Sequence, residues 1–148
     1  MVIFMDDKQK VEIILNKLIE HANMASKIGE IPVAAAIVDS DLNIISVCGN
    51  NRQSTFNVLG HAEILAIQQA EQSIRDWRLD GYSMFVTLVP CEMCRSVIKE
   101  SRLDKIYYLA DRNNNEQLNS NLYQQLTNYN DYIVKSSDLL TAFFDNMR

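Results

Sequence analysis

The stretch 84-MFVTLVPCEMCRSVIKES-101 joins a predicted strand at 84–89 to a predicted helix at 91–101 through one proline and two cysteines. Residues 84–89 are apolar except for one threonine, which is the pattern of a strand buried in a sheet. Pro90 has a fixed φ and no N–H, and it therefore suits the start of the following helix. Cys91 and Cys94 are three residues apart, so they are predicted to share one face of that helix. This strand–turn–helix unit is the centre of the predicted fold.

The segments on both sides of this unit alternate between strand and helix patterns. Before it, the sequence predicts a helix at 7–27, strands at 33–39 and 42–49, a polar loop at 50–60 and a helix at 61–75. After it, the sequence predicts a strand at 105–110, a loop leading to a short helix near 118–126, a strand at 132–134 and a helix at 137–147. The chain is therefore predicted to be one α/β domain, 1–148, with a mixed sheet in a three-layer α/β/α sandwich.

Composition excludes several classes of protein. The 148 residues are 47% hydrophobic and 22% charged, as in globular domains. No stretch approaches the ~18 apolar residues of a membrane span, so no membrane partner is expected. The start, MVIFMDDKQK, is too short for a secretory signal, and a cytoplasmic location is predicted. The net charge of −5 does not favour binding to nucleic acid.

The cysteine spacing fits more than one kind of site. In the cytoplasm a CxxC pair is more often metal-binding or catalytic than a structural disulfide. The third cysteine, Cys48, has no nearby partner in sequence and is predicted to be an inert buried thiol. His21 lies alone on the first predicted helix and is given no role.

The sequence 61-HAE-63 supplies the partner that the two cysteines need, because it also begins a predicted helix. If the two helix starts face each other, His61, Cys91 and Cys94 provide three ligands for one zinc ion and leave a fourth position open for water, as in catalytic sites. Glu63 is roughly 200° around the helix from His61, so it can stand beside the open position. There it can shuttle a proton while the activated water attacks an electron-poor ring carbon and ammonia departs.

Two alternatives for the same residues remain open. A structural zinc ion would need a fourth ligand, which Cys48 or His21 could provide, but that arrangement leaves Glu63 without a role. A thioredoxin-like redox pair would leave 61-HAE-63 without a role. The combined pattern H-x-E…P-C-x-x-C is typical of zinc deaminases of nucleobases.

Longer phrases resemble the bacterial tRNA adenosine deaminases of the cytidine deaminase-like superfamily. These phrases are 29-GEIPVAAAIV-38, 51-NR-52, 61-HAEILAI-67, 78-RLDG-81, 86-VTLVPCEMC-94 and 101-SRLDKIYYLADR-112, and the closing FFDNMR is similar to the C-terminal helix of that family. The resemblance implies a five-stranded sheet flanked by helices, a homodimer, and conversion of adenosine to inosine at the wobble position of a tRNA anticodon.

The resemblance also implies roles for individual residues. His61, Cys91 and Cys94 would bind zinc, and Glu63 would be the catalytic proton shuttle. Asn51, in the Asn-Arg pair of the family, would contact the flipped-out nucleoside, since an amide offers both a donor and an acceptor. A structural turn role for Asn51 is the alternative. The main-chain N–H that follows Pro90 would hold the reacting water or its oxyanion.

The sequence departs from the family pattern where substrate is expected to be held. Val89 replaces the usual Glu before Pro-Cys, and the loop between Asn51 and His61 is one residue shorter and ends in Leu59-Gly60. The usual Arg-Asp order is reversed in Asp111-Arg112, 113–115 are asparagines in place of Lys-Thr-Gly, and the basic tail is reduced to Arg148. None of these changes affects the predicted zinc ligands.

The residues are compatible with three functions. The first is a zinc-dependent tRNA adenosine deaminase acting on an anticodon stem-loop. The second is a zinc deaminase of a free nucleobase or nucleoside such as guanine or cytosine, which the charge of −5 favours. A small pocket roofed by the C-terminal helix would support this second function, and an open groove would count against it. The third is a non-catalytic zinc-containing subunit that binds RNA or a deaminase partner, and Glu63 argues against it.

Overall fold

The computed structural model describes residues 6–112, 118–119 and 121–147 of the chain. In this part of the chain the helices are α1 Asp7–Lys27, α2 Ala62–Ile74, α3 Glu92–Ser101 and α4 Asn130–Asp145. The strands are β1 Ala34–Val38, β2 Ile44–Gly49, β3 Ser83–Leu88, β4 Lys105–Ala110 and β5 Tyr123–Gln125. None of the helices in the described ranges is long and apolar enough to span a bilayer.

The five strands form one mixed sheet in the order β2-β1-β3-β4-β5. β1 pairs antiparallel with both β2 and β3, whereas β3, β4 and β5 run parallel to one another. The predicted five-stranded mixed sheet is confirmed.

Alternate side chains of β1 enter two different hydrophobic cores, because successive residues of a strand point to opposite faces. Ala35 and Ile37 belong to a core that includes Ala62, Ala66, Ile67, Ala70 and Ile98 of α2 and α3. Ala34, Ala36 and Val38 belong to a second core formed with Ile14, Leu15, Leu18 and Ala22 of α1, on which Ile133 and Leu139 of α4 also pack. The sheet therefore lies between two helical layers, as predicted for a three-layer sandwich.

The C-terminal elements differ from the sequence prediction. The short helix predicted near 118–126 is wrong, since this region contains β5, whose backbone bonds join Ile106 N to Leu122 O and Leu126 N to Tyr108 O. The strand predicted at 132–134 is also wrong, since these residues lie within α4. In the described chain the buried residue of α4 is Ser136. Because this residue is polar, the segment does not show the regular spacing of apolar residues that predicts a helix. Residues 113–117 of the predicted loop lie outside the described residues.

The topology brings several chain segments together at one edge of the sheet. Because β1 and β3 are antiparallel, the start of β1 lies beside the end of β3, with Ala35 opposite Val86. Thr87 links three elements here: its Oγ1 accepts a hydrogen bond from Ala34 N at 3.1 Å, and its carbonyl oxygen accepts one from Ser136 Oγ at 2.9 Å. The region outside the carboxyl ends of strands, here the end of β3, is a common location for ligand sites in α/β sheets.

Candidate active site

Two helices begin at this edge of the sheet, and both begin with a predicted metal ligand. His61 is the N-cap of α2 and Cys91 is the N-cap of α3, and neither side chain makes a capping hydrogen bond. At the start of α2, Asn50 Oδ1 accepts the hydrogen bond from Ala62 N at 2.7 Å. The side chains of His61 and Cys91 are therefore available to bind another group, such as a metal ion. Pro90 lies one residue before the cap of α3, not within the helix.

The three predicted metal ligands lie together. His61 Nδ1 is 3.6 Å from Cys91 Sγ and 3.5 Å from Cys94 Sγ, and all three donor atoms lie within 4.8 Å of one another. In a tetrahedral zinc site with Zn–S near 2.3 Å and Zn–N near 2.05 Å, the nitrogen and sulfur atoms should be roughly 3.6 Å apart. The donor atoms and their spacing therefore fit zinc, and both cysteines are free of disulfide bonds.

The structure does not support a fourth protein ligand. Within residues 6–112, 118–119 and 121–147, the metal-binding group at this site consists of His61, Cys91 and Cys94. Cys48 is half-buried, and its Sγ lies 3.7 Å from Gln69 Oε1, away from this group. A three-ligand site leaves a coordination position for water, which is the arrangement of catalytic zinc.

The hydrogen bond between the two cysteine side chains shifts their pKa values in opposite directions. The pKa of Cys91 is lowered to about 4, chiefly because the Cys94 side chain donates a hydrogen bond to its sulfur, and proximity to His61 adds to the effect. The pKa of Cys94 is raised, first by the same hydrogen bond to Cys91 and then by burial. Thiolates are the metal-binding form of cysteine, so the lowered pKa of Cys91 favours metal binding, and binding of a cation favours loss of the proton from Cys94 as well.

Glu63 lies in the first turn of α2 beside the ligand group and is only 3% exposed. Burial raises the pKa of its carboxyl group, and the negative charge of Cys91 acts in the same direction. A buried carboxyl group of this kind, next to a position for water, is suited to accept and return a proton.

The ligand group opens into a cavity of about 250 Å³. The cavity is lined by Ile31, Val33, Asn50, Arg52, His61, Glu63, Leu88, Cys91, Arg112, Leu140 and Phe144. Pockets for drug-sized ligands range from about 300 to 1,000 Å³, so this one is suited to a single heterocycle. Leu140 and Phe144 belong to α4, and the cavity is therefore roofed by the C-terminal helix.

Asn50, and not its neighbour Asn51, lines the cavity. The Oδ1 atom of Asn51 lies 3.4 Å from Thr55 Oγ1, and its carbonyl oxygen accepts a 2.7 Å hydrogen bond from the same hydroxyl. Asn51 therefore has interactions within its own loop. Sequence analysis did not identify Asn50, although the adjacent asparagines at 50 and 51 made either one a candidate. It placed Arg52 in the Asn-Arg pair and Arg112 in a region expected to hold substrate, but gave no role to either side chain and did not name Leu140 or Phe144.

The loop from Asn51 to Gly60 is closed tightly beside the cavity. Asn51 N donates to Gly60 O at 2.9 Å, and a Cβ atom on Gly60 would lie 2.6 Å from Asn51 Oδ1 and 2.7 Å from the N and Cα atoms of Arg52. Glu30, which is 1% exposed, fixes the loop by accepting hydrogen bonds from Gln53 N at 3.2 Å and Ser54 N at 2.7 Å. The shortened loop therefore requires glycine at its end.

Comparisons with known proteins agree with this geometry. Residues 8–110 match a family model described as the cytidine and deoxycytidylate deaminase zinc-binding region. A tRNA-specific adenosine deaminase of Rickettsia bellii (strain RML369-C) is 38% identical over 109 residues, which cover 73% of this chain and 75% of that protein. A tRNA-specific adenosine deaminase of Bacillus subtilis (strain 168) is 34% identical over 99 residues, which cover 67% of this chain and 61% of that protein.

Solved structures share the fold. The structure of a tRNA:A34 deaminase, studied for A-to-I editing at the wobble position of transfer RNA, has a TM-score of 0.74 at 24% identity and covers 85% of this chain and 97% of its own. Guanine deaminase from Bacillus subtilis has a TM-score of 0.64 at 27% identity and covers 72% of this chain and 66% of its own. The protein is a zinc-dependent deaminase with a group positioned to hold one zinc ion per chain. It belongs to the family of tRNA-specific adenosine deaminases, within the cytidine and deoxycytidylate deaminases.

Proposed function

We propose that this protein hydrolytically deaminates adenosine to inosine at the wobble position of a tRNA anticodon. Deamination is supported by the site geometry: the distances from His61 Nδ1 to the two cysteine sulfur atoms fit a tetrahedral zinc ion. A buried carboxyl group lies beside these atoms, and the cavity is the size of one heterocycle. The choice of adenosine in tRNA is supported by the 38% identity to the Rickettsia bellii enzyme.

The residues have separate roles in the proposed reaction. His61, Cys91 and Cys94 hold the zinc ion, which when bound acts as a Lewis acid and makes a water molecule more acidic. Glu63 accepts a proton from the attacking water and donates it to a ring nitrogen as the new C–O bond forms. It then takes the remaining proton of that added hydroxyl group and donates it to the amine, so the C–N bond breaks, the carbonyl forms and ammonia leaves. Glu63 can perform these transfers because its helix places it beside the ligands and not among them.

Main-chain and amide groups position the substrate. We infer that the N–H of Cys91, directly after Pro90, holds the reacting water or its oxyanion, as an N-terminal helix position favours negative charge. Asn50 faces the cavity, and its Oδ1 is already bonded to Ala62 N, so its Nδ2 group is available to a substrate acceptor. A contact between Asn51 and the nucleoside stays a prediction.

A specific observation favours the second candidate function, deamination of a free base or nucleoside. The cavity is small and is roofed by Leu140 and Phe144, which is the feature expected for that function. The 27% identity to Bacillus subtilis guanine deaminase is in keeping with it. Substrate size therefore has to be tested directly.

The test compares an RNA hairpin carrying adenosine at the wobble position with free adenosine, guanine and cytosine. Ammonia release and product mass are measured with the zinc-loaded protein. We expect inosine in the hairpin. Turnover of a free base without any turnover of the hairpin would establish the second function and refute the first.

Replacement of Glu63 tests the proton shuttle. Glu63→Gln should lower kcat by about 10²- to 10⁴-fold, because general acid–base catalysis is lost. Zinc content should stay near one ion per chain. Glu71→Gln on the same helix is the matched control, since Glu71 does not line the cavity. Equal activity of the Glu63→Gln protein and the wild type would refute the assignment of Glu63 as the proton shuttle.

We also propose that the protein is a cytoplasmic homodimer, as the family resemblance implies. Phe56, Val58 and Leu59 in the loop beside the cavity are 97%, 70% and 43% exposed, and such a group of apolar side chains is suited to an interface. Light scattering after size-exclusion chromatography should give twice the mass of the 17.0 kDa chain. A monomer across micromolar concentrations would contradict the proposal.

A further inference from the structure

Arg52 and Arg112 contribute positive charge to the cavity lining, and each comes from a different segment of the fold. Arg52 lies in the loop that Gly60 closes, and Arg112 follows β4. Exposure places both at the mouth of the cavity: Arg112 is exposed and Arg52 is half-buried, whereas Val33 and Glu63 are buried. The two guanidinium groups are therefore within reach of a ligand that fills the cavity and extends toward solvent.

Arg112 is held in place by the turn that carries the zinc ligands. Its Nε donates a hydrogen bond to Val89 O at 3.2 Å, and its main-chain N–H donates to Asp111 Oδ1 at 2.8 Å. Because Nε is fixed, the two Nη groups have a defined direction before a ligand arrives. A guanidinium group oriented in this way can bind an anion with two parallel hydrogen bonds and a smaller loss of side-chain entropy.

In the described part of the chain, no carboxylate pairs with either arginine side chain. Among the residues that the structure describes, neither Arg52 nor Arg112 forms an ion pair, and the only Asp or Glu side chain that lines the cavity is the buried Glu63. The Val89 side chain is 3% exposed and belongs to the hydrophobic core with α2 and α3, so only its main-chain carbonyl contacts Arg112.

We propose that Arg52 and Arg112 bind phosphate groups of the strand that carries the target nucleoside, a role that rests on the proposed function. The cavity of about 250 Å³ accommodates one heterocycle, so the sugar–phosphate chain stays at the mouth where the guanidinium groups lie. Since the net charge is −5, attraction to RNA depends on such local contacts and not on the overall field. A free base lacks the phosphate groups that these residues bind.

The test measures binding separately from turnover. A fluorescently labelled RNA hairpin is titrated with the Glu63→Ala protein, and Kd is followed by anisotropy over a range of roughly 50 to 200 mM salt. Each phosphate contact to a single strand contributes about 0.7 to the slope of log Kd against log salt. Arg52→Gln and Arg112→Gln should each lower the slope by about 0.7, and the double variant by about 1.4.

Two further variants separate local contacts from general effects. Arg75→Gln removes the same charge at the far end of α2, about 20 Å from the start of that helix, and should leave the slope unchanged. Arg112→Lys keeps the charge but loses the fixed Nε contact, so it should keep the slope and raise Kd. Zinc content and melting temperature, measured for every variant, identify any that fail to fold.

The outcomes separate this proposal from the proposed function. If the double variant keeps the wild-type salt slope, or if the hairpin does not bind, the phosphate role of the two arginines is refuted. Inosine formation by the wild type in the hairpin would still support the proposed function. If the wild type deaminates only free bases, the proposed function fails, and the anisotropy slopes still decide whether the arginines bind phosphate.

Discussion

Gly60→Ala adds only one methyl group but should lower the stability of the protein markedly. The new Cβ would lie 2.6 Å from Asn51 Oδ1 and 2.7 Å from both N and Cα of Arg52. The Asn51 side chain can rotate away. The main chain of Arg52 cannot, because Asn57 N donates to Arg52 O at 3.0 Å and Asn51 N donates to Gly60 O at 2.9 Å within the same closed loop. The clash must therefore move the loop backbone.

Overpacking of this kind typically costs about 1–3 kcal/mol. For domains near this size, each kcal/mol lowers the melting temperature by about 2–4 °C, so a fall of roughly 2–12 °C is expected. Because Arg52 lines the cavity, the displaced loop should also raise KM for the RNA hairpin. The change should leave zinc content intact, since the atoms nearest the new methyl group belong to Asn51 and Arg52 and not to a zinc ligand.

The assay is calorimetric unfolding of the zinc-loaded protein, together with kcat and KM on the hairpin. Gly49→Ala is the matched control: its Cβ would lie 3.0 Å from His21 O and 3.3 Å from Ala25 Cβ, so a smaller loss is expected. A Gly60→Ala protein that melts within about 1 °C of the wild type with unchanged KM would refute the steric clash, since even the smallest expected loss is larger. A Gly49→Ala protein that is the more damaged of the two would refute it as well.

Two further predictions concern buried hydroxyl groups. Tyr123 Oη is buried without a hydrogen-bond partner among the described residues, and burial raises the pKa of Tyr123 to about 12. Removal of this hydroxyl group in Tyr123→Phe should therefore leave the free energy of unfolding in urea unchanged or raise it by up to about 1 kcal/mol. A fall of more than about 1 kcal/mol in this free energy would contradict the prediction, since it would mean that the hydroxyl group has a hydrogen-bond partner. Ser136 is 1% exposed and donates to Thr87 O at 2.9 Å, so Ser136→Ala should lower the same free energy by about 1–3 kcal/mol. An unchanged urea midpoint would contradict this.

The elements next to the zinc ligands were predictable because their signals are local. The hydrophobic periods of α2 and α3 and the ligand spacings 61-HAE-63 and 91-CEMC-94 lie within short stretches, and the boundaries in the structure differ from the predicted ones by at most one residue. β5 was not predictable in this way. Its three residues are held by main-chain bonds to β4, and no period within the segment indicates such a partner.

The cavity lining was only partly predictable for the same reason. Leu140 and Phe144 reach the cavity because α4 packs on α1, β4 and β3, and the hydrogen bond between Ser136 and Thr87 is part of that packing. In the sequence, Ser136 is a polar residue that interrupts an apolar pattern. Its role depends on a residue 49 positions earlier, and a pattern along one segment cannot show this.

The small cavity is the feature expected for an enzyme that acts on free bases, but it also accommodates a single base of an RNA strand. Enzymes that act on bases in nucleic acid turn the target nucleotide out of the stack and enclose only that base. Both substrates would therefore fill the same 250 Å³ beneath Leu140 and Phe144. They differ at the mouth, where a free base ends and a strand continues with negative charge. Arg112 is held by Val89 O, and no carboxylate among the described residues pairs with it. Such an oriented guanidinium group offers a phosphate contact to RNA and nothing comparable to a free base, and this difference favours RNA as the substrate.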